Sequence, residues 1–201
     1  MADARTEVLA RIRKALGDRP APVVVPREYH RTGPGSLDLF AERVADYRAT
    51  VHQVPPDDLV PLLASLLGSR RIVAPTDLPT SWLVPSVTWL PDSPPLTVEA
   101  LDGSDGVLTG CAVAIADTGT IVLDAGVAQG RRVLTLLPDY HLVVVLASQV
   151  AATVPEALAR LDSVRPLTFI SGPSATSDIE LNRVEGVHGP RNLEVIIVRD
   201  A

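Results

Sequence analysis

The chain has very little cysteine and lysine, and each scarcity excludes a class of chemistry. Its single cysteine, Cys111, allows no intramolecular disulfide and no cysteine-only metal site, and an iron–sulfur cluster takes about four thiolates. Its single lysine, Lys14, lies near the N-terminus, so the main body has no lysine for a Schiff base or a phosphate loop. An anion bound by the body must therefore contact arginine side chains or backbone N–H groups.

Long apolar runs and excess positive charge are also absent. No segment approaches the roughly 20 apolar residues of a membrane-spanning helix. Residues 1–17 carry charged side chains where a secretory signal has its apolar stretch. The net charge of -6 argues against a nucleic-acid-binding surface. We therefore expect a cytoplasmic protein with no membrane span and no nucleic-acid partner.

The first third of the chain shows helical patterns. A first predicted helix ends at Gly17, and residues 18–35, rich in proline and arginine, form a predicted linker or strap. Ser36 is expected to cap a second helix, whose apolar face comprises Phe40, Val44, Tyr47 and Val51. A third helix opens at residues 55–57 and is closed by Gly68. We divide the chain into an N-terminal helix and linker, residues 1–35, and a single α/β domain, residues 36–201.

The remainder shows mainly strand patterns. Six apolar runs are predicted strands, at residues 71–74, 111–116, 120–123, 142–146, 167–170 and 193–198. Gly119 ends a strong turn signal between the second and third runs, which predicts an antiparallel hairpin. The run at 142–146 is continuously apolar, which is typical of a strand covered on both faces. With a predicted helix at 155–161, the pattern favours an α/β fold with a mostly parallel sheet flanked by helices.

Two glycine–proline turns near the C-terminus carry an unusual density of polar groups. Residues 171–180 read SGPSATSDIE, and residues 186–191 read GVHGPR. A loop that only joins two strands has no need for so many donors and acceptors. The sequence therefore predicts that something polar is bound there.

These motifs resemble those of a known family. The hairpin at 114–123, Arg131, Leu137-Pro138 before His141, and the two glycine–proline turns follow in the order found in the LUD domain family, specifically its lactate utilization protein C group. The resemblance covers residues 106–198. It implies a fold similar to that of the sugar-phosphate isomerases and CoA-transferases. It also implies a role in bacterial growth on L-lactate, beside iron–sulfur partner proteins that oxidise lactate to pyruvate.

The hairpin tip has two interpretations. Asp117, Thr118, Gly119 and Thr120 form either a turn whose side chains bond the local backbone or a nest of N–H groups and hydroxyls that receives an anion. Arg131 is either a surface residue or, since it matches the family motif, a ligand contact.

The first glycine–proline turn also has two interpretations. Gly172 and Ser174 either make a strand-to-helix turn with Ser174 as its cap, or present the N–H groups of that helix to an anion. Asp178 and Glu180 are candidates for acid–base catalysis. Because residues two apart on a helix do not share a face, we expect Asp178 to be the inward one.

The second turn contains a histidine and an arginine. His188 is either a structural residue or a hydrogen-bond donor, and Gly189 lets the backbone approach a ligand closely. Arg191 can clamp a carboxylate with two hydrogen bonds. We expect His141 to be structural and Cys111 to be buried and inert. No pair of histidines or carboxylates has a metal-ligand spacing, so we predict no metal and no cofactor.

Three functions are compatible with these residues. The first is an accessory component of lactate utilization that binds a small anion or a partner protein at the clustered loops. The second is a stand-alone enzyme that acts on a sugar phosphate or an acyl-CoA, with Asp178 or Glu180 as base or nucleophile and Arg191 as the anion clamp. The third is structural, with the loops stabilising a homodimer and the N-terminal helix exchanged between copies.

Overall fold

Two packed β-sheets form the body of the protein, which a computed structural model describes over residues 3–17, 24–26, 28, 30–173, 175–176, 184–185 and 189–200. The elements of these described residues follow one another as α1 (Ala4–Leu16), α2 (Leu37–Asp46), β1 (Thr50–Val54), α3 (Leu59–Leu67), β2 (Arg71–Ala74), β3 (Thr88–Pro91), α4 (Val98–Asp102), β4 (Gly106–Thr109), β5 (Val113–Ile115), β6 (Thr120–Leu123), β7 (Tyr140–Leu146), β8 (Val150–Ala151), α5 (Val154–Ala159), β9 (Thr168–Ile170), β10 (Ala175–Thr176), β11 (Val184–Glu185) and β12 (Asn192–Val198).

The main sheet has six described strands in the order β1-β12-β7-β4-β2-β3, and every neighbouring pair is parallel. The two apolar runs predicted as strands 142–146 and 193–198 form its centre, where β7 pairs with β12 along the full length of both. Strands in a parallel sheet are buried on both faces, which explains why these two runs do not alternate with polar residues. The predicted α/β fold with a mostly parallel sheet is confirmed.

The second sheet contains the predicted hairpin. Its order is β8-β5-β6-β9, with β5 and β9 antiparallel to β6. The turn between β5 and β6 places Gly119 at φ +59°, a conformation that other residues adopt only with strain. A side chain there would also lie about 2.6 Å from the backbone of Arg43 on α2. The hairpin tip therefore packs against that helix, and only glycine fits at the contact.

Two large apolar clusters fill the space on either side of the main sheet. On one face, α3 packs through Leu59, Leu63 and Leu67 against strand residues that include Leu142 and Ile196. On the other face, α2 and the second sheet pack against their sequence neighbours Val143 and Val195. Successive residues of a strand point to opposite faces, so the same two strands supply both clusters.

The end of α2 differs from the sequence prediction. Val51 was expected on the apolar face of that helix, but it lies in β1, an edge strand that pairs with β12. The helix ends at Asp46, and Arg48 adopts a φ of +69°, which breaks the helical path. Thr50, Val51 and Val54 are β-branched residues that favour a strand, and pairing with β12 satisfies their backbone groups. The prediction for Phe40 and Val44, both buried, and for Ser36 as the cap is confirmed.

The helix predicted to begin at Ser174 is also wrong over its first described residues. Ala175–Thr176 is a short strand, β10, that pairs antiparallel with β11 at Val184–Glu185. Backbone pairing between segments about ten residues apart replaces the local hydrogen bonds that a helix would make. The local capping pattern therefore does not decide this segment.

The N-terminal helix forms as predicted and ends at Gly17, but it buries none of its residues. Its apolar side chains Val8 and Leu16 are 55% and 62% exposed, so packing within this chain does not hold it. The strap after it does contact the body: Thr153 donates a hydrogen bond to the Arg31 carbonyl oxygen, and a side chain on Gly35 would lie 2.3 Å from Ala152. Among the described helices, none combines the length and apolar character needed to cross a membrane.

Truncation of the N-terminus tests whether the strap, and not α1, contributes to the stability of the body. We expect deletion of residues 1–30 to change the melting temperature by less than about 2 °C, because α1 buries nothing in this chain. Deletion of residues 1–36 removes both the Thr153 hydrogen bond and the Ser36 cap. These contribute about 2 kcal/mol together, or a decrease of roughly 4–8 °C. Differential scanning calorimetry of the two deletions distinguishes them, and equal decreases would contradict the assignment.

Candidate functional site

A cavity of about 350 Å³ opens between the amino end of β7 and strand β9. The residues that line it and bear on its chemistry are Arg132, His141, Ser171, Gly172, Gly189 and Pro190. We call it the His141 cavity. It contains parts of both glycine–proline turns, so two segments that lie about 17 residues apart in the sequence meet at one place.

The hairpin reaches the same region through a row of hydroxyl groups. The Thr120 hydroxyl lies 2.7 Å from the Thr118 hydroxyl and 2.7 Å from the Ser171 hydroxyl. Gly172, at φ +104°, packs against Tyr47 at the end of α2, where a side chain would lie 2.5 Å from the Tyr47 Cβ. The hairpin turn and the first glycine–proline turn therefore both contact the α2 region. Gly119 packs against Arg43, and Gly172 packs against Tyr47.

His141 forms part of the cavity wall and is 1% exposed. Its Nε2 atom lies 2.7 Å from the hydroxyl oxygen of Thr109, which is fully buried. The Thr109 hydroxyl donates to Nε2 in one tautomer of the ring and accepts from Nε2–H in the other. Burial lowers the pKa of His141 to about 4, so the ring is neutral near pH 7. A neutral ring that accepts at Nε2 carries its hydrogen on Nδ1.

His141 borders the cavity, and its second ring nitrogen is Nδ1. It has no hydrogen-bond partner among the described residues, and no buried side-chain nitrogen or oxygen of these residues lacks a partner. The cavity is the space that His141 borders. A neutral N–H donor on a rigid, buried ring suits a ligand oxygen.

Two adjacent arginines differ in whether their charge is available. Arg131, a predicted ligand contact, donates two hydrogen bonds to the Asp92 carboxylate and one to the Leu96 carbonyl oxygen. This pairing lowers the pKa of Asp92 and largely neutralises both charges. Arg132, which lines the cavity, makes no side-chain hydrogen bond or ion pair with any described residue. Arg132 is therefore the cation positioned to attract an anion into the His141 cavity.

Arg191, the predicted carboxylate clamp, lies outside the His141 cavity. It donates hydrogen bonds of 2.6 and 2.9 Å to the two carboxylate oxygens of Asp139, whose pKa is lowered by the pairing. It lines a larger, polar cavity of about 650 Å³ together with Tyr140 and Glu194. Tyr140 and His141 are successive residues of β7, so they point to opposite faces of the main sheet.

The polar cavity holds a group of titratable residues that the sequence does not suggest. The Glu194 carboxylate accepts a hydrogen bond from the Tyr140 hydroxyl and lies 2.6 Å from His52 Nε2. The guanidinium of Arg70 lies 5.2 Å from the centre of the Tyr140 ring. Burial raises the pKa of Tyr140 above its ordinary value. These side chains bind one another, which fixes the ends of β1, β7 and β12 together.

The structure brings some of the predicted site residues together and separates others. Gly172 and Gly189 line the His141 cavity, and Thr120 contacts it through Ser171. Asp117 and Thr118 are exposed at the hairpin tip and line none of the cavities described above. Ser174, Asp178, Glu180 and His188 lie outside the described residues.

Cys111 is buried, as the sequence predicts, and burial raises the pKa of its thiol to about 12. The thiol is therefore protonated near neutral pH and is a poor nucleophile. Within the described part of the chain, no three histidine, cysteine or carboxylate side chains lie close enough to hold a metal ion. The polar groups that border the His141 cavity are the His141 ring, the Ser171 hydroxyl and the Arg132 guanidinium.

The part of the chain that forms the His141 cavity also matches a known protein family. The profile of the LUD domain matches residues 97–198, which include β4–β9, His141 and both glycine–proline turns. The chain is 47% identical to lactate utilization protein C of Deinococcus radiodurans over 98% of this chain and 96% of that protein. It is 31% identical to lactate utilization protein C of an Exiguobacterium species, again over 98% and 96%. The crystal structure of a DUF162 family protein from Deinococcus radiodurans is similar to it, with a TM-score of 0.71 and 44% identity over 81% of this chain and 95% of that chain.

The buried His141 predicts a pH dependence of stability. Its pKa is about 4 in the folded chain and near 6.5 when unfolded, so only the unfolded chain binds the proton between these values. The stabilisation is complete above pH 6.5 and is lost as the pH falls towards 4. We expect the free energy of unfolding to decrease by about 2 kcal/mol between pH 7.5 and pH 5 from this residue alone.

A His141→Gln variant, whose side-chain oxygen can still accept from Thr109, should lack this decrease. The melting temperature of both proteins at pH 7.5 and pH 5 measures the difference. Asp92 and Asp139 do not interfere, because their pKa values are lowered and they titrate in more acid solution. Identical pH profiles for the two proteins would contradict the neutral, buried state of His141.

Proposed function

The chain belongs to the LUD domain family, and from this we propose that it is an accessory component of bacterial L-lactate utilization. The proposal is supported by the two relatives that match nearly the whole chain, both of which are called lactate utilization protein C. We propose that it acts beside iron–sulfur proteins that oxidise lactate to pyruvate. The name that both relatives share supports the process, and we infer the partners from the family resemblance.

The site that we assign to this role is the His141 cavity, with a small carboxylate as its ligand. Three donors support this choice: the unpaired Arg132 guanidinium, the Nδ1–H group of His141 and the Ser171 hydroxyl. The single observation that carries it is that His141 borders the cavity and that its Nδ1 atom has no partner among the described residues. In this proposal the neutral ring carries its hydrogen on Nδ1 and donates it to the ligand. The cavity volume of about 350 Å³ is large enough for a molecule of three or four carbons.

The division of labour with partner proteins follows from the cysteine content. The chain has one cysteine, and that cysteine is buried and protonated, so the chain supplies neither cluster ligands nor a thiol redox pair. Electrons from lactate would therefore pass through the partners. In this proposal the present chain binds the carboxylate, or presents it, and the partners perform the oxidation.

Ligand binding can be measured by thermal shift with pyruvate, L-lactate and inorganic phosphate as probes. A carboxylate at 100 times its Kd adds about 2.7 kcal/mol to stability, or a rise of roughly 5–10 °C in the melting temperature. We expect pyruvate or lactate to produce this rise in the wild-type chain and to fail in Arg132→Ala. The matched control is Arg13→Ala, which removes the same charge from α1 and should respond as the wild type does.

A shift with phosphate but with neither carboxylate would contradict the assigned ligand. No shift with any of the three would remove the ligand from the proposal and leave only the protein-partner role.

The cellular role is tested by growth. Deletion of the gene should abolish growth on L-lactate as sole carbon source and leave growth on glucose unchanged. The wild-type gene should restore growth on lactate, and the Arg132→Ala gene should restore it poorly. Normal growth of the deletion strain on lactate would reject the role in lactate utilization whatever the binding result.

A further inference from the structure

A separate cavity of about 380 Å³ lies at the opposite edge of the main sheet from the polar cavity, at the carboxyl ends of the strands. Gly110, which follows β4, and Leu146, which ends β7, line it together with Trp82, from the segment that follows β2. We call it the carboxyl-edge cavity. The chain runs from β2 outwards to β3 and then returns past β2 to β4. Ligands of open parallel sheets bind at the carboxyl ends of the strands where the strand order reverses in this way.

One wall of this cavity is a loop, residues 124–130, with a strained backbone. Ala125 and Ala128 have φ angles of +54° and +60°, in the left-handed region that alanine rarely adopts. The loop is held in place by a hydrogen bond from the Gly110 N–H to the Ala128 carbonyl oxygen. Strain of this kind persists where surrounding contacts enforce it, and it is concentrated at ligand sites.

Three polar side chains converge on Gly126 in this loop. A side chain at Gly126 would lie 2.6 Å from Asp124 Oδ1, 3.2 Å from Gln129 Nε2 and 3.4 Å from an Arg165 guanidinium nitrogen. The Asp124 carboxylate accepts a hydrogen bond from the Gly126 N–H and pairs with Arg165 at 2.8 Å. The polar groups therefore surround the space above the Gly126 Cα, and a side chain there would displace them.

Gln129 has a side-chain donor that lacks a partner among the described residues. The side chain is 4% exposed, and its oxygen accepts a hydrogen bond of 2.6 Å from the Asp124 N–H. Its Nε2 amide nitrogen has no acceptor among the described residues. Gln129 itself lines the carboxyl-edge cavity. Its closeness to Gly126, which lines the carboxyl-edge cavity, places it on that side.

The charges that line the cavity are already balanced. Arg165 pairs with Asp124, and Arg160 pairs with Glu156. An anion or a cation would lose its hydration without gaining an uncompensated partner. The remaining walls are apolar and include Trp82, Val144 and Leu161. Cys111 also lines the cavity, and its buried thiol is protonated near pH 7, so it offers no thiolate nucleophile there.

From this arrangement we infer that the carboxyl-edge cavity is a second binding site, for a small neutral molecule with an apolar body and one carbonyl oxygen. The carbonyl oxygen accepts a hydrogen bond from Gln129 Nε2, and the apolar body lies against Trp82. This site is distinct from the His141 cavity in its position, its donor and the charge of its ligand. It stands whether or not the chain binds a carboxylate.

The test uses ε-caprolactam, a neutral ring amide, as the probe in a titration followed by amide and indole NMR signals of the full chain. We expect saturable shifts, with a Kd in the millimolar range, at Gly126, at the Gln129 side-chain amide and at the Trp82 indole N–H. Hexanoate, an anion of the same carbon number, should not shift these signals. Gln129→Glu keeps the acceptor for the Asp124 N–H but replaces the donor, so it should weaken caprolactam binding at least tenfold.

The matched control is Gln53→Glu, the same chemical change on the exposed strand β1, which should bind caprolactam as the wild type does. If Gln129→Glu does not fold, as judged by its melting temperature, Gly126→Ala serves instead, because the added methyl group displaces the polar side chains around it. Absence of localised shifts in the wild type would overturn the inference. Unchanged affinity in the folded variant, or equal binding of hexanoate at this site, would do the same.

Discussion

The burial of β7 on both faces is the constraint on which the rest of the structure depends. This strand lies at the centre of a parallel sheet between β12 and β4, and Leu142 and Val143 pack into different apolar clusters. A parallel sheet has a large free-energy cost if either face meets water, so α3 covers one face, and α2 with the second sheet covers the other. The hairpin and Ser171, which follows β9, are brought to the main sheet because β5, β6 and β9 belong to that cover.

Where the cover is incomplete, polar groups of the sheet become accessible. His141 is the second residue of β7, and its partner Thr109 lies on the neighbouring strand β4. The hydrogen bond between them leaves one ring nitrogen for the His141 cavity. Charge is distributed in the same way: Arg131 and Arg191 are held by aspartates, and Arg132, next to the first, is free to act at the cavity. Residues of the same type therefore differ in role according to whether their polar groups already have a partner within the chain.

Local signals predicted those elements whose hydrogen bonds and apolar contacts are local. The Ser36 cap, the glycine at the end of α1 and the hairpin around Gly119 all form as the sequence indicates. Prediction failed at Val51 and after Ser174, where pairing with distant segments replaces local helical bonds. The site shows the same limit. The sequence indicated Arg131, but nothing in it indicates that Asp92, 39 residues earlier, occupies that guanidinium.

The sequence by itself determined the fold class, the buried strands, the scarcity of cysteine and lysine, and therefore the kinds of donor that an anion can meet. It also carries the family motifs, because their glycines and prolines act through local backbone geometry. Only the tertiary structure decided which donors are free. The pairing of His141 with Thr109 and the separation of Gln129 Nε2 from any acceptor depend on strand register and loop placement, which are set by contacts between residues far apart in the chain.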